Sequence, residues 1–288
     1  MIRLFAVLLL LSPSLAHADR QEVRLGNRFY FIDLPARPVG APVILGLHGG
    51  GGNPSQFARN SGLSIAANAA GYAVIYPAGS GRLGLLTWNG GYCCAYAAQK
   101  GVDDITFLDA VIKDAAQRFR LDPRRVYLTG MSNGSLMAEA YAASLPRAVK
   151  AVAGVSGTMD LKTFPVKGPV PLLHIHGTAD LNVPFDGGVG TGGHTDTSFT
   201  AAADVVAAFR AAFKADLTLV TRTIDPAEDG MQVIETTWAK AGKPVVRLMM
   251  IEGGGHVWPG GRRAEGQGGG TLDIKANTEL LRFFAEHP

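Results

Sequence analysis

The feature that most constrains the fold of this chain is a series of short apolar segments, each followed by glycine, proline or polar residues. They span residues 42–47, 72–76, 125–129, 149–155 and 170–175. Short segments without polar alternation are typical of strands that are buried on both faces of a parallel sheet. Between and after them lie stretches with helical periodicity, at residues 55–70, 104–119, 135–145 and 200–213. Because strands and helices alternate, the sequence predicts an α/β fold with a parallel sheet and right-handed crossovers.

Different patterns flank this series on both sides. Residues 21–25 and 28–33 alternate around Gly26-Asn27, which predicts an antiparallel hairpin. Residues 217–224 and 231–238 resemble a second hairpin, and residues 245–251 resemble a further strand. We predict a last helix at about residues 272–285, with one face covered by the apolar side chains of Leu272, Leu280, Leu281, Phe283 and Phe284.

The composition is that of one globular domain. The chain has 288 residues, of which 47% are hydrophobic, so it can bury a single large core, and it shows no internal repeat or linker. Its formal net charge is +3, and no run of Lys or Arg is longer than a pair, so nucleic-acid binding is not predicted. We therefore expect one domain over residues 19–288.

Residues 1–18 have the pattern of a secretory signal peptide. Arg3 precedes the apolar residues 4–11, and Ala16-His17-Ala18 supplies small residues around a cleavage position. The apolar segment is too short to span a bilayer and no later one is long enough, so membrane association is not predicted. No cysteine lies near the cleavage position, which argues against a lipid anchor. We expect a secreted or periplasmic protein.

The two cysteines of the chain, Cys93 and Cys94, are adjacent. In an oxidising compartment the intramolecular disulfide open to them is a vicinal one. Such a bond encloses no loop of chain, so the usual entropic stabilisation is nearly absent. Two free, buried thiols are the alternative, and the sequence favours neither state.

The strongest functional signal is Gly130-Met131-Ser132-Asn133-Gly134, which has the pattern Gly-x-Ser-x-Gly. A strand-like segment precedes it and a helix-like segment follows it, so the serine lies in a tight strand-turn-helix connection. There the flanking residues must be small, and the positive end of the following helix favours negative charge near the serine. We predict that Ser132 is a nucleophile; an ordinary turn serine between glycines is the alternative.

A nucleophilic serine needs a base, and the base needs a group that fixes its tautomer. On a strand-turn-helix site of this kind, the chain order is serine, acid, histidine. Asp180 and His256 each follow an apolar strand in that order, so we predict them as the acid and the base. Asp186 is the rival acid, and His194 is the rival base.

Two further histidines, His174 and His176, lie within or at the end of the strand before Asp180. A structural role is the favoured interpretation for side chains in a buried strand. A metal cluster of these two residues with Asp180 is not predicted, because closed metal sites need more ligands in a rigid arrangement.

Attack by a serine also needs backbone N–H groups that bind the oxyanion. Asn133, the residue after the nucleophile, supplies one of them. The second is expected from the glycine run 49–52, where missing side chains let the backbone approach a substrate. We predict Gly50, with Gly49 as its neighbour. A phosphate-binding loop is not indicated, because no Gly-Lys-Ser/Thr follows these glycines.

Taken together, these motifs resemble the esterase and polyhydroxybutyrate depolymerase family, which includes feruloyl and acetylxylan esterases. The resemblance covers nearly the whole chain after residue 18 and is carried by residues 47–52, 76–77, 88–89, 93–94, 102–104, 130–134, 176–184 and 254–260. It implies the α/β-hydrolase fold and a secreted serine hydrolase that cleaves carboxylic esters through an acyl-enzyme, without a metal or organic cofactor. By this resemblance Ser132 attacks, His256 moves the proton, and Asp180 orients His256.

The resemblance also bears on the substrate. Members that attack solid polyester look like a catalytic domain with a linker and an adsorbing module; this sequence shows neither, so we expect soluble or oligomeric esters of the feruloyl, acetyl or hydroxybutyrate type. Trp88 and Trp258, with Tyr92 and Tyr96, lie in the predicted site loops and are candidates for substrate contact, with packing as the equal alternative. A secreted serine peptidase and a non-catalytic carbohydrate-binding protein on the same fold are the alternative functions.

Overall fold

The structure, a computed structural model, describes residues 20–193, 196–262 and 269–288. The predicted signal peptide, residues 1–18, and the rival base His194 lie outside the described residues. In the described parts of the chain, no helix combines the length and the apolar character needed to cross a bilayer.

Strands and helices alternate along the described chain. The strands are β1 Gln21–Leu25, β2 Arg28–Asp33, β3 Val43–Leu47, β4 Ala73–Pro77, β5 Ser80–Arg82, β6 Leu85–Thr87, β7 Val126–Met131, β8 Ala151–Val155, β9 Leu172–Gly177, β10 Gly188–Val189, β11 Ser198–Phe199, β12 Thr218–Ile224, β13 Gln232–Lys240 and β14 Lys243–Glu252. The helices are α1 Pro54–Ser61, α2 Leu63–Ala69, α3 Ala95–Gln99, α4 Asp104–Phe119, α5 Asn133–Ser144, α6 Ala202–Ala211 and α7 Ala276–Ala285.

One large sheet organises the molecule, with the strand order β1-β2-β4-β3-β7-β8-β9-β14-β13-β12. The six central strands, from β4 to β14 in that order, pair in parallel. Antiparallel pairs extend the sheet at both edges, and short turns join β1 to β2 and β13 to β14 directly. Both predicted hairpins are therefore present, and the prediction of a parallel sheet is correct for its centre.

The two faces of the central strands are buried by different helices. In β3, the side chains of Val43, Leu45 and Leu47 belong to a core that also contains residues of α4, α5 and α6. Ile44, which points to the other face, packs in a second core with residues of α1, α2 and α7. Because both faces need apolar side chains, the strand is apolar throughout and shows no alternation.

Two helix predictions need correction. The predicted helix at residues 55–70 is two helices, α1 and α2, because Gly62 takes a left-handed conformation with φ 61° and ends the first one. The last helix begins at Ala276 rather than near residue 272, and Leu272 is 71% exposed instead of packing on its apolar face. The buried residues Leu280, Phe283 and Phe284 do cover that face as predicted.

A buried ion pair fixes the start of α4 against the rest of the sheet edge. Asp103 caps the helix by accepting the N–H of Thr106 at 3.0 Å. Asp104 is buried and accepts from the Arg28 guanidinium at 2.7 Å and from the Asn89 N–H at 2.8 Å. Arg28 donates in addition to the carbonyl of Ala78. These bonds join β2, the loop after β4 and α4 at one point.

We expect Asp104→Asn to destabilise the fold by about 3 kcal/mol, because it leaves the Arg28 charge buried without a counter-charge. Glu22→Gln is the control, since the Glu22–Arg24 pair is solvent-exposed and should contribute less than about 0.5 kcal/mol. Urea unfolding of both variants measures the difference. Equal losses of stability in the two variants would contradict this assignment.

Candidate active site

Ser132 lies at the sharp turn between β7 and α5. Its backbone has φ 57° and ψ −126°, a left-handed region that a residue with a side chain rarely adopts. Two hydrogen bonds hold it there: its N–H donates to the carbonyl of Val155 at 2.9 Å, and its carbonyl accepts from the N–H of Leu136 at 3.0 Å. The turn therefore has the strained conformation expected of a nucleophile at such a connection.

The two glycines that flank this turn are required by close backbone approaches. A Cβ atom added at Gly130 would collide with the backbone of Gly134. One added at Gly134 would collide with the carbonyl groups of Leu47 and His48, at the end of β3. Small residues are thus needed because strand β7, helix α5 and the end of β3 meet here.

Asp180 and His256 come together at the same edge of the sheet. Asp180 follows β9 and His256 follows β14, and since these strands are parallel neighbours, their carboxyl ends lie side by side. The Nδ1 atom of His256 is 2.8 Å from Oδ2 of Asp180. The other carboxylate oxygen accepts the N–H groups of Asn182 and Val183, both at 2.9 Å. The structure therefore brings the predicted acid and the predicted base into direct contact.

The Asp180 carboxylate is held in its ionised form. Burial by itself would raise its pKa, but donation from His176 and His256 lowers the pKa well below the ordinary value. The rival acid, Asp186, is exposed at the surface and is not the carboxylate that contacts His256. The geometry thus favours Asp180 over Asp186 as the partner of the histidine.

Ser132 and His256 line the same cavity, which has a volume of about 250 Å³. Residues 49–52, the glycine run after β3, form part of its wall. The N–H of Gly51 donates to Leu86 and that of Gly52 to Gly49, whereas the N–H groups of Gly50 and Asn133 have no hydrogen-bond partner among the described residues. An added Cβ at Gly50 would be 3.5 Å from Cβ of Asn133, so the two backbone segments are adjacent. Two unpaired N–H groups thus lie beside Ser132.

Trp88 does not line the cavity, which corrects the prediction that it contacts substrate. Its side chain is fully buried, and its indole N–H donates to the carbonyl of His48 at 2.9 Å. Its backbone N–H and carbonyl bind the side chain of Asn133 at 2.7 and 3.0 Å. Through these hydrogen bonds Trp88 supports the glycine run and the start of α5, and its ring packs in the core.

Of the other predicted aromatic residues, only Trp258 lines the cavity, and its indole N–H donates to Asn277 at 3.1 Å. Tyr92 donates its hydroxyl to the carbonyl of Thr158 at 2.5 Å and does not line the cavity. Tyr96 likewise lies outside the cavity lining. Trp258 is thus the aromatic candidate that remains for substrate contact.

The adjacent cysteines form a vicinal disulfide in the structure. Cys93 is buried in a small apolar cluster with Leu136, Val183 and Phe199. Leu136 belongs to α5 and Val183 to the loop of Asp180, so this cluster joins the cysteine loop to both sides of the site.

The sequence analysis missed a role for His48, whose ring bridges two loops. The Nδ1 atom is 2.9 Å from the carbonyl of Gly49, and Nε2 accepts the N–H of Gly79 at 3.0 Å. A carbonyl accepts and an N–H donates, so these contacts fit one neutral tautomer with the proton on Nδ1. Burial lowers the pKa of His48 to about 4. The ring therefore holds the glycine run in place as a neutral group.

Also missed was Glu139, which is fully buried in α5 and contacts His174. The signal in the sequence is a single charged residue within a helix that is otherwise uncharged and rich in alanine. Buried carboxylates are rare unless they are paired, so such a residue indicates a partner.

Acid should destabilise the protein through His48. Because burial lowers its folded-state pKa to about 4 from 6.5, the unfolded chain gains a proton first as the pH falls. The stability from this group is complete above pH 6.5 and is lost between pH 6.5 and 4. The loss reaches about 3 kcal/mol at the acid end. Urea unfolding across this window should show a shallower pH dependence for His48→Gln, which cannot titrate; identical slopes would contradict the prediction.

Known esterases are similar to this chain. The family described as "Esterase PHB depolymerase" matches residues 30–164. "Putative esterase NocK" from Nocardia uniformis subsp. tsuyamanensis is 34% identical over 241 residues, which are 79% of this chain and 68% of that protein. "Probable feruloyl esterase C" from Aspergillus clavatus is 31% identical over 185 residues, which are 62% of this chain and 62% of that protein's length.

A solved structure shows the same architecture. The acetyl xylan esterase from Aspergillus awamori aligns with a TM-score of 0.63 and covers 93% of this chain and 100% of its own, at 14% sequence identity. At that identity the likeness establishes the fold alone. It confirms the predicted α/β-hydrolase fold.

Proposed function

This chain belongs to the esterase and polyhydroxybutyrate depolymerase family, and we propose that it is a secreted serine carboxylic-ester hydrolase that works through an acyl-enzyme. One observation carries the proposal. Ser132 and His256 line a single cavity, and the far nitrogen of His256 is bonded to the ionised Asp180 at 2.8 Å. Nucleophile, base and orienting acid are the parts that ester cleavage by a serine needs.

In the first half of the reaction, Oγ of Ser132 attacks the ester carbonyl and His256 accepts its proton at Nε2. The carbonyl oxygen becomes an oxyanion, and we assign the unpaired N–H groups of Gly50 and Asn133 as the donors that bind it. The positive end of α5, which begins at Asn133, adds to this stabilisation. His256 then protonates the leaving alcohol, and the acyl group remains on Ser132.

In the second half, a water molecule attacks the acyl group while His256 removes its proton. The tetrahedral intermediate collapses, the carboxylic acid leaves, and His256 returns the proton to Ser132. Asp180 keeps the proton of neutral His256 on Nδ1, so that Nε2 is free to act as the base. Its negative charge also stabilises the imidazolium that forms in both halves.

The cavity supports a small acyl group joined to a polar alcohol. Its volume of about 250 Å³ suits acyl groups of the acetyl or hydroxybutyryl size, and one wall carries the ring of Trp258. Gln56, Asn60 and Arg262 add polar side chains to the lining. Hydroxyl-rich or oligomeric alcohols would find hydrogen-bond partners there. The cavity therefore supports soluble acetyl and hydroxybutyrate-oligomer esters as substrates, and the likeness to a probable feruloyl esterase supports feruloyl esters. Export rests on the pattern of residues 1–18.

Ser132→Ala and His256→Ala should each abolish turnover of p-nitrophenyl acetate while leaving the thermal transition nearly unchanged. Asp180→Asn should lower kcat by about 10⁴-fold, because the amide no longer fixes the histidine tautomer. Asp186→Asn and His194→Ala, which change the rival acid and the rival base, are the matched controls and should keep wild-type turnover. If Asp186→Asn lost activity while Asp180→Asn kept it, the acid would be reassigned to Asp186. If His194→Ala lost activity while His256→Ala kept it, the base would be reassigned to His194.

The reaction class is tested with the wild-type protein and a panel of substrates. A panel of p-nitrophenyl butyrate, methyl ferulate, hydroxybutyrate oligomers and a peptide p-nitroanilide separates ester cleavage from amide cleavage. Turnover of one or more esters with no cleavage of the anilide is the expected result. Cleavage of the anilide alone would favour a peptidase, and no turnover at all by folded protein would favour a binding function.

A further inference from the structure

Behind the candidate active site, Glu139, His174 and His176 form a continuous row that ends at Asp180. All three side chains are fully buried. Oε1 of Glu139 is 2.8 Å from Nδ1 of His174, and Nε2 of His174 is 3.1 Å from Nδ1 of His176. Nε2 of His176 is 2.8 Å from the carbonyl of Val183 and 3.4 Å from Oδ2 of Asp180. The row thus runs from the helix of the nucleophile to the acid.

The Val183 carbonyl fixes the direction of the hydrogen bonds. A carbonyl oxygen accepts only, so Nε2 of His176 must carry a hydrogen. If His176 is neutral, its Nδ1 atom is bare and must accept, so Nε2 of His174 carries a hydrogen as well. If His174 is also neutral, its Nδ1 atom faces Glu139 as an acceptor, and Glu139 must then donate as a carboxylic acid.

The number of protons leads to the same requirement, whichever tautomer His174 takes. With an ionised Glu139 and two neutral histidines, two acceptors always face each other, either at the glutamate or between the rings. Such a buried contact between unshielded lone pairs leaves polar groups unsatisfied and is costly. One additional proton removes the conflict wherever it sits, on Glu139, His174 or His176. The geometry therefore requires one proton more than an ionised glutamate and two neutral histidines carry. With that proton the net charge of the row is zero.

Burial decides where that proton rests. It raises the pKa of Glu139 above its ordinary value and lowers the pKa of His176, since it penalises the charged form of each group. Both directions favour the arrangement in which every member is neutral. Oε2 of Glu139 remains free to accept, and it does so from the N–H of Met159 at 3.2 Å.

We propose that Glu139, His174 and His176 are positioning residues. They share the one additional proton, which keeps the row neutral and fixes the direction of its hydrogen bonds. The row thereby presents the His176 N–H to Asp180 and limits the basicity of His256. The effect on His256 rests on the proposed function, whereas the orientation of the row stands on its own. Oδ2 of Asp180 is 2.8 Å from Nδ1 of His256 and 3.4 Å from Nε2 of His176. The hydrogen bond of His176 goes to the Val183 carbonyl, so its polar N–H makes a second, longer electrostatic contact with the same negative charge. Without the N–H of His176, more of that charge stabilises the imidazolium of His256.

The titratable groups that face the row are few. Asp180 and His256 lie at one end. Tyr92 lies at the other, where burial raises the pKa of its hydroxyl. Asp160, next to Met159, accepts from the N–H of Tyr92 at 3.2 Å and is turned to that loop. A pH effect transmitted by His176 therefore reports on Asp180 and His256.

The orientation can be tested without measuring activity. Full-length protein labelled with ¹⁵N-histidine is examined by long-range ¹H–¹⁵N correlation, and His174→Gln and His176→Gln assign the signals. Both histidines should be neutral Nε2–H tautomers at neutral pH. Glu139→Gln should preserve both tautomers, because its amide N–H replaces the proton of the acid. A neutral His176 with its proton on Nδ1, or a doubly protonated His176, would overturn the proposal.

The influence on His256 is tested by the pH dependence of kcat/KM. In His176→Leu, the acidic limb should move upward by about 0.5 unit, since Asp180 loses a donor. His176→Gln, which retains an N–H near the position of Nε2, should restore the wild-type limb. A lower Tm in His176→Leu with an unmoved limb would show packing alone and would refute the positioning role. Absence of turnover in the folded wild-type protein would instead count against the proposed function, and the tautomers would still test the row.

Discussion

The structure depends on the close approach of three backbone segments around Ser132. The end of β3, the end of β7 and the start of α5 meet so tightly that Gly130 and Gly134 have no room for a side chain. This contact forces Ser132 into a left-handed conformation and raises its side chain to the carboxyl edge of the sheet. The backbone of Gly50 also lies next to Asn133, the first residue of α5. A single steric constraint thus positions both the proposed nucleophile and the proposed donors for the oxyanion.

Sheet order supplies the rest of the site. Because β9 and β14 are parallel neighbours, residues separated by a long stretch of chain, Asp180 and His256, reach one another at a common edge. The buried row of Glu139, His174 and His176 connects this acid loop to α5, and the cluster around Cys93 makes a second connection between the same two parts. The proposed nucleophile and the proposed acid–base pair are therefore connected beneath the cavity.

Local pattern was sufficient to predict the central strands, the helix α4, both hairpins and the tight turn at Ser132, because each depends on neighbours in the sequence. The roles of Ser132, Asp180 and His256 stay predictions. What could not be predicted depends on the packed structure. The helical pattern of residues 55–70 continues across Gly62, but the left-handed conformation of this glycine ends the first helix there. Leu272 is apolar yet exposed. Trp88 lies in a site-forming loop but turns inward to bind His48. The row from Glu139 to His176 joins residues from a helix and a strand whose pairing no short motif reveals.

The most direct test of the account is to identify the side chain that becomes acylated. Purified protein would be treated with a fluorophosphonate probe, digested, and mapped by peptide mass, with Ser132→Ala treated in parallel. The account predicts one adduct, on Ser132, and none in the variant. An adduct on another residue, or no adduct on folded protein that still hydrolyses esters, would contradict the assignment of Ser132 as the nucleophile.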